Sequence, residues 1–285
     1  MWWIAAGVSV VCILWLWLIA PGRADKQTRA AFSGRTYAHR GLYEVDQSVP
    51  ENSLEAFRRA VSAGYGIELD VQLSKDGQVL VFHDDTLQRA CGENSRVDAT
   101  SFLELHKRTL FGTMQHIPLL SEVLATVSGR VPLIVELKAG SRWQMLCEKT
   151  YKLLSDYEGP YCVESFHPSV VRWFYRHAPK VMRGQLSEAY CFSLKHIGRV
   201  RAFVLSRLFT NAFTRPQFVA YRIGPKCVSA RICEMLGAIK VAWTVQDSKM
   251  HAEWTARSDM VIFEHYRPQN VFCRNDDGNV VCPKY

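Results

Sequence analysis

Eight short apolar runs with strand-like composition punctuate residues 36–263, and between most of them apolar residues return every three to four positions. The runs are Thr36–Ala38, Gly66–Val71, Pro132–Leu137, Tyr161–Val163, Val181–Gln185, Gln217–Tyr221, Ile239–Trp243 and Met260–Phe263. Helical spacing falls over 53–63, 120–127, 142–155, 168–176, 227–236 and 248–256. In the first of these, Leu54, Phe57, Ala60 and Val61 share one helix face, and Asn52 is placed to act as its N-cap. Strands alternating with helices predict an α/β protein, a (β/α)8 TIM barrel, with a doubly wound sheet as the competing architecture. There is no internal repeat and no low-complexity tract.

One stretch departs from the alternation. Lys75-Asp76-Gly77-Gln78 separates two apolar runs, and Asp-Gly is a strong signal for a two-residue hairpin. Such a turn pairs Leu73 with Leu80 and Val71 with Phe82, and so sets Asp70 opposite His83.

The N-terminus follows another pattern. Trp2 to Ala20 carry no charge, and as a helix they reach about 28 Å, close to the hydrocarbon thickness of a bilayer. Trp2, Trp3, Trp15 and Trp17 suit the two interfaces. A cleaved signal peptide is the alternative, but no Lys or Arg precedes the run, and Ile19-Ala20-Pro21-Gly22 is a poor cleavage site. The expectation is a transmembrane anchor over 2–20, a polar linker over 21–35 and a barrel domain over 36–285. Arg23, Lys26, Arg29 and Arg35 follow the span, so the positive-inside rule predicts a single-pass protein with its barrel domain in the cytoplasm.

Removing the anchor from 285 residues leaves a length normal for such a barrel. The net charge of +8 comes without a lysine-rich run or a nucleic-acid-binding motif, so nucleic acid is not an expected partner. An anionic substrate or membrane surface fits the charge instead. The nine cysteines lack metal-binding spacing and read as reduced thiols.

The candidate chemistry concentrates in His39-Arg40-Gly41, Glu68-Leu69-Asp70 and His83-Asp84. Glu68 and Asp70 are two apart and leave one face of their strand; Glu136 and Lys138 share a face of the next. Inward carboxylates are costly unless paired or bound to a cation, and oxygen ligands suit Mg2+ or Ca2+. A salt bridge from Glu68 and Asp70 to Arg40 or Lys138, with no metal, is the plainer alternative.

These residues resemble the glycerophosphodiester phosphodiesterase family. The resemblance runs through Ala38-His39-Arg40-Gly41, Pro50-Glu51-Asn52-Ser53, Ile67–Val71, Lys75-Asp76-Gly77, Val81–Asp84, Ile117–Leu120, Val135–Lys138 and Ala242–Val245. It implies a TIM barrel that hydrolyses glycerophosphodiesters to glycerol phosphate and an alcohol with a divalent metal ion. It further implies His39 and His83 as the acid/base pair, Glu68, Asp70 and Glu136 as metal ligands, and Arg40 and Lys138 on the phosphate. Glu51 and Asn52 would line the site, and Trp243 would pack on the glycerol. The attacking group it implies is the adjacent glycerol hydroxyl, which gives a cyclic phosphate.

The chain departs from the family pattern at Phe263-Glu264-His265-Tyr266-Arg267-Pro268, so Glu264 and His265 are left out of the expected catalytic set. His106, His116, His167, His177, His196 and His251 read as structural, with His167 the best candidate exception. Residues 190–215 read either as a barrel helix and loop or as a basic amphipathic helix on a membrane surface. Competing functions are lysophospholipase D action, hydrolysis of glycerophosphate polymers or lipids, and an inactive lipid-binding barrel.

Overall fold

Each of the eight apolar runs forms a strand, because alternate residues have an interior or a helix layer to bury against. The computed structural model describes residues 2–189 and 198–268. The strands are β1 (Arg35–His39), β2 (Gly66–Leu73), β3 (Val79–Val81), β4 (Leu133–Leu137), β5 (Tyr161–Ser165), β6 (Met182–Ser187), β7 (Phe218–Arg222), β8 (Ile239–Val245) and β9 (Met260–Phe263). All but β3 run parallel in the order β1-β9-β8-β7-β6-β5-β4-β2, and β1 pairs with β2 to close the sheet. Closure makes this a TIM barrel and excludes the doubly wound alternative.

Inward residues Tyr37, Ile134, Cys162, Met182, Phe218, Ile239, Val241, Met260 and Ile262 fill the barrel. Outward residues such as Ile67, Leu69, Val135 and Val163 pack with helix residues that include Phe57, Val123, Leu146 and Phe174. The interior is tight at Gly184, where an added Cβ would lie 2.0 Å from the Phe218 ring. Phe218 therefore crosses the space that a side chain on β6 would need.

The apolar helix α1 spans Trp2–Ile19, and Ile19 is its only buried residue. Its end is held by Arg215, which donates to the Trp17 and Ala20 carbonyls at 2.9 Å, and by Asn211, which donates to Ile19 O at 3.0 Å. The stretch 21–35, expected to be a linker, contains helix α2 (Lys26–Phe32). Asp25 caps it, accepting from Thr28 N at 2.7 Å, and Phe32 joins the interior cluster. Phe32 thus covers one end of the barrel.

The β2–β3 turn also departs from expectation. Val71 pairs with Val81 and Leu73 with Val79, one residue short of the two-residue register. Ser74 N donates to Gln78 O at 3.0 Å, which leaves a three-residue loop with Gly77 left-handed at φ +77°. The Ser74 hydroxyl fixes this loop by accepting from Gln78 N and donating to Asp76. Phe82, not His83, therefore lies opposite Asp70, with its N–H on Asp70 O at 3.0 Å.

Beyond β3, Leu80, Phe82, Leu87, Ala90, Val97, Leu105, Leu110 and Ile117 form a small separate core that holds the segment after His83. Residues 190–197 lie outside the described residues, so the 190–215 reading is judged on its remainder. There, helix Arg199–Ser206 buries Ala202 and Ser206 and exposes Val200 and Phe203, and helix Asn211–Thr214 buries both its ends and exposes Phe213.

Candidate active site

Strand register gathers the acidic residues at one end of the barrel. His39 on β1 is level with Glu68 on β2, Asp70 with Glu136 on β4, and Glu136 with Glu164 on β5. His39, Glu136 and Glu164 stand at or next to the C-terminal ends of their strands, and Glu68 and Asp70 lie level with them on the longer β2; this is the end where such barrels carry their chemistry. One oxygen from each of Glu68, Asp70 and Glu136 lies within 4.8 Å of the others.

The loop after β1 brings in the cation. Arg40 is left-handed at φ +55° and Asn52 at φ +54°. Asn52 N donates to Arg40 O at 2.8 Å, which ties the Pro50–Ser53 turn to the end of the strand. Helix α3 (Leu54–Ser62) begins there; its cap is Ser53 rather than Asn52, and the Ser53 hydroxyl accepts from Ala56 N at 3.2 Å. Asn52 is thereby free to donate from Nδ2 to Asp70 Oδ2 at 2.9 Å. Arg40 donates to Glu51 at 2.7 Å and lies 3.5 Å from Asp70. Lys138 sits 3.1 Å from Asp70 and 3.0 Å from Glu136.

Burial sets the charge balance. It raises the Glu68 carboxyl well above the carboxylate range, and Asp70, Glu136 and Glu164 add to the effect. Burial and the same crowding raise Glu164 well and Glu136 in the same direction, Lys138 opposing at Glu136. Burial alone would also raise Asp70, but Lys138 and Arg40 outweigh it and hold Asp70 low. Asp70 is thus salt-bridged as the plainer alternative has it, while the other three acids lack a full complement of positive charge. Buried Asn52 Oδ1 and Glu164 Oε2 are acceptors with no hydrogen-bond partner. Converging carboxylates and orphaned oxygens fit a hard divalent cation.

Two imidazoles flank the cluster, each held at Nδ1 by a carboxylate. His39 Nδ1 lies 2.6 Å from Glu264 Oε2, and its Nε2 faces Glu68 at 3.8 Å. Gln246 donates to the other Glu264 oxygen at 2.8 Å. His83 Nδ1 lies 2.6 Å from Asp84 Oδ1. Burial lowers the His39 pKa despite Glu264, which favours a neutral ring with Nδ1–H on the carboxylate and a free Nε2 lone pair. Burial raises Glu264, but its bond with His39 outweighs this and holds it down to about 2.

A depressed carboxyl stabilises the fold above its unfolded pKa of about 4.3 and loses that stabilisation as pH falls through the folded value. The stability gap between wild type and Glu264→Gln should therefore shrink from about pH 4.3 towards 2, measured by urea melts across pH.

Glu264, outside the expected catalytic set, is the residue that orients His39. Glu164 was missed as well, since its strand was expected to end at Val163. Glu51 turns from the centre to bind Arg40 and Arg89. Trp243 points inward from β8, donates to Ala220 O at 2.9 Å and meets Phe166 edge-on. A cleft of about 390 Å³ runs outward from Glu136 and Lys138 past Phe166, His167 and Leu186 to Leu205. His167 is stacked on Trp143 in its wall, away from the acidic centre.

The site is thus an acidic cluster between two imidazoles at one end of a closed TIM barrel. Comparison with known proteins gives the particular family. The chain belongs to the Glycerophosphoryl diester phosphodiesterase family, whose model matches residues 39–265. A glycerophosphodiester phosphodiesterase of Caldanaerobacter subterraneus is 31% identical over 220 residues, covering 73% of this chain and 84% of that one. A lysophospholipase D of Rattus norvegicus is 29% identical over 151 residues, covering 48% of this chain and 46% of that protein. An Oleispira antarctica phosphodiesterase, solved with sn-glycerol-3-phosphate, shares the fold at a TM-score of 0.66 and 22% identity, over 81% of this chain and 93% of that one.

Proposed function

We propose that this chain is a membrane-tethered, divalent-metal-dependent glycerophosphodiester phosphodiesterase that uses His39 and His83 for proton transfer. The observation that carries this reading is the acidic triad, with oxygens within 4.8 Å of one another, between two imidazoles each bonded at 2.6 Å to its own carboxylate. Glu68, Asp70 and Glu136 would hold Mg2+ or Ca2+, and the bound ion supplies positive charge to the phosphoryl oxygens. Arg40 and Lys138 hold the phosphate from either side of Asp70.

His39 acts as the base. Its ring is kept neutral by burial and aimed by Glu264, so Nε2 can take the proton of the attacking hydroxyl. His83 acts as the acid, held at Nδ1 by Asp84 and protonating the leaving alkoxide from Nε2. Attack by the substrate's own glycerol hydroxyl gains from proximity, and water then opens the cyclic phosphate with the histidine roles reversed. Trp243 and Asn52 border the space for the glycerol.

The tether is α1, an uncharged helix that meets the barrel only through its C-terminal part, where Ile19 is buried and Arg215 lies on the Trp17 ring. The basic residues after it favour a cytoplasmic catalytic domain. A second reading, lysophospholipase D action, draws support from the cleft, whose wall includes Leu137, Phe166, Leu186, Ala202 and Leu205. Product analysis on glycerophosphocholine and lysophosphatidylcholine tests both. Glycerophosphocholine should yield glycerol phosphate and choline. Faster turnover of the second supports the lysophospholipase reading, and no turnover of either supports an inactive barrel or a hydrolase of glycerophosphate polymers.

A further inference from the structure

Arg89 occupies a position that the mechanism above does not use. It lies on a single helical turn, Gln88–Cys91, outside the barrel wall. The neighbouring Leu87 and Ala90 are buried in the small core beyond β3, so the backbone of the turn is fixed. Its guanidinium bridges two carboxylates. Nε and Nη2 donate to Asp84 Oδ2 and Oδ1 at 2.7 and 3.1 Å. Nη1 and Nη2 donate to Glu51 Oε2 and Oε1 at 2.9 and 2.7 Å. The Phe111 ring closes one face of the group, 5.6 Å from Cζ.

The two carboxylates do not depend on Arg89 equally. Glu51 retains Arg40 at 2.7 Å and Gln47 without it. The Asp84 carboxylate is otherwise bonded to His83 alone among the described residues. Without Arg89, Asp84 is half of an isolated pair at the surface, free to turn and take the imidazole with it. A bidentate fork holds a carboxylate in one orientation, which a lysine cannot do.

We propose that Arg89 is a positioning residue for leaving-group protonation: braced on Glu51, it fixes Asp84 and through Asp84 aims His83 at the leaving oxygen. This rests on His83 being the proton donor in the reading above. The signature is dependence on the leaving group. Choline leaves as an alkoxide and needs the proton, whereas a p-nitrophenolate does not. A purely structural role, or one exerted on the phosphate through Glu51 and Arg40, slows both substrates alike.

The test compares, in a single turnover of the full chain, the rate of choline release from glycerophosphocholine with that of p-nitrophenolate release from the p-nitrophenyl diester of glycerol phosphate, because the later opening of the cyclic phosphate is common to both substrates. In Arg89→Ala, choline release should slow roughly 100-fold, the lower end of what general acid catalysis contributes, with p-nitrophenolate release within about threefold. Retained p-nitrophenyl turnover also shows that the variant is folded; if Arg89→Ala does not fold, Arg89→Lys carries the same comparison. Equal loss on both substrates, or no loss on either, overturns the proposal. His83→Ala, run in parallel, separates the two levels. If it shows the contrast and the Arg89 variants do not, the Arg89 proposal fails. If His83→Ala lacks the contrast, the assignment of His83 as donor fails, and the Arg89 proposal with it.

Discussion

His39→Ala should lower kcat for glycerophosphocholine by roughly 10³- to 10⁴-fold, at the upper end of general acid–base effects, with KM changed little. His39 is the group whose Nε2 faces the acidic centre while Nδ1 is committed to Glu264. No other imidazole lies against Glu264 among the described residues except the adjacent His265, whose ring packs on Tyr43. The fold should survive, because Glu264 keeps its bond from Gln246 and a longer one from Tyr43 at 3.4 Å. Glu264→Gln should give a smaller loss, since it leaves the base in place and removes only its aim. Steady-state kinetics beside a thermal melt checks both. A His39→Ala enzyme within tenfold of wild type would remove His39 from the chemistry.

Asp70→Asn should abolish turnover, by roughly 10³-fold or more, and also weaken the fold. The kinetic loss follows from taking one anion out of the triad that would hold the ion, at several kcal/mol of charge stabilisation and about 1.4 kcal/mol per tenfold. The stability loss has a separate cause. Asp70 is buried and lies against Lys138, Arg40 and Asn52, so the neutral variant leaves two cations short of charge in a dry site. Removing one partner of a buried ion pair costs about 3–5 kcal/mol; the lower end applies here, because Lys138 keeps Glu136 and Arg40 keeps Glu51. Glu164→Gln provides the contrast: it should be milder in stability, because burial already favours the neutral form of that acid.

The barrel was legible because its strands are apolar runs bounded by turns, and the period-two pairs Glu68/Asp70 and Glu136/Lys138 interrupt those runs with charge. A carboxylate inside an apolar strand needs a reason, and that oddity exposed most of the centre. The rest depended on distance and loop geometry. Glu264 reaches His39 only because β9 closes on β1, 225 residues away in sequence. The hairpin slipped by one residue because Asp-Gly also serves a three-residue loop, and the choice rests with Ser74 and left-handed Gly77. Helix α2, at seven residues, is too short to display a period, and its Asp25 cap was the available signal. Arg89 sits on one turn of helix, where no periodicity announces which side chain faces the site.

Chelation is the most direct test of the central claim, that a divalent ion at Glu68, Asp70 and Glu136 works with the two histidines on a glycerophosphodiester. The measurement is release of glycerol phosphate from glycerophosphocholine by the full chain after exhaustive EDTA treatment, then after Mg2+ or Ca2+ is restored in excess. The account predicts loss to background and recovery with at least one ion in wild type, and no recovery in Asp70→Asn. Undiminished turnover in EDTA would contradict it.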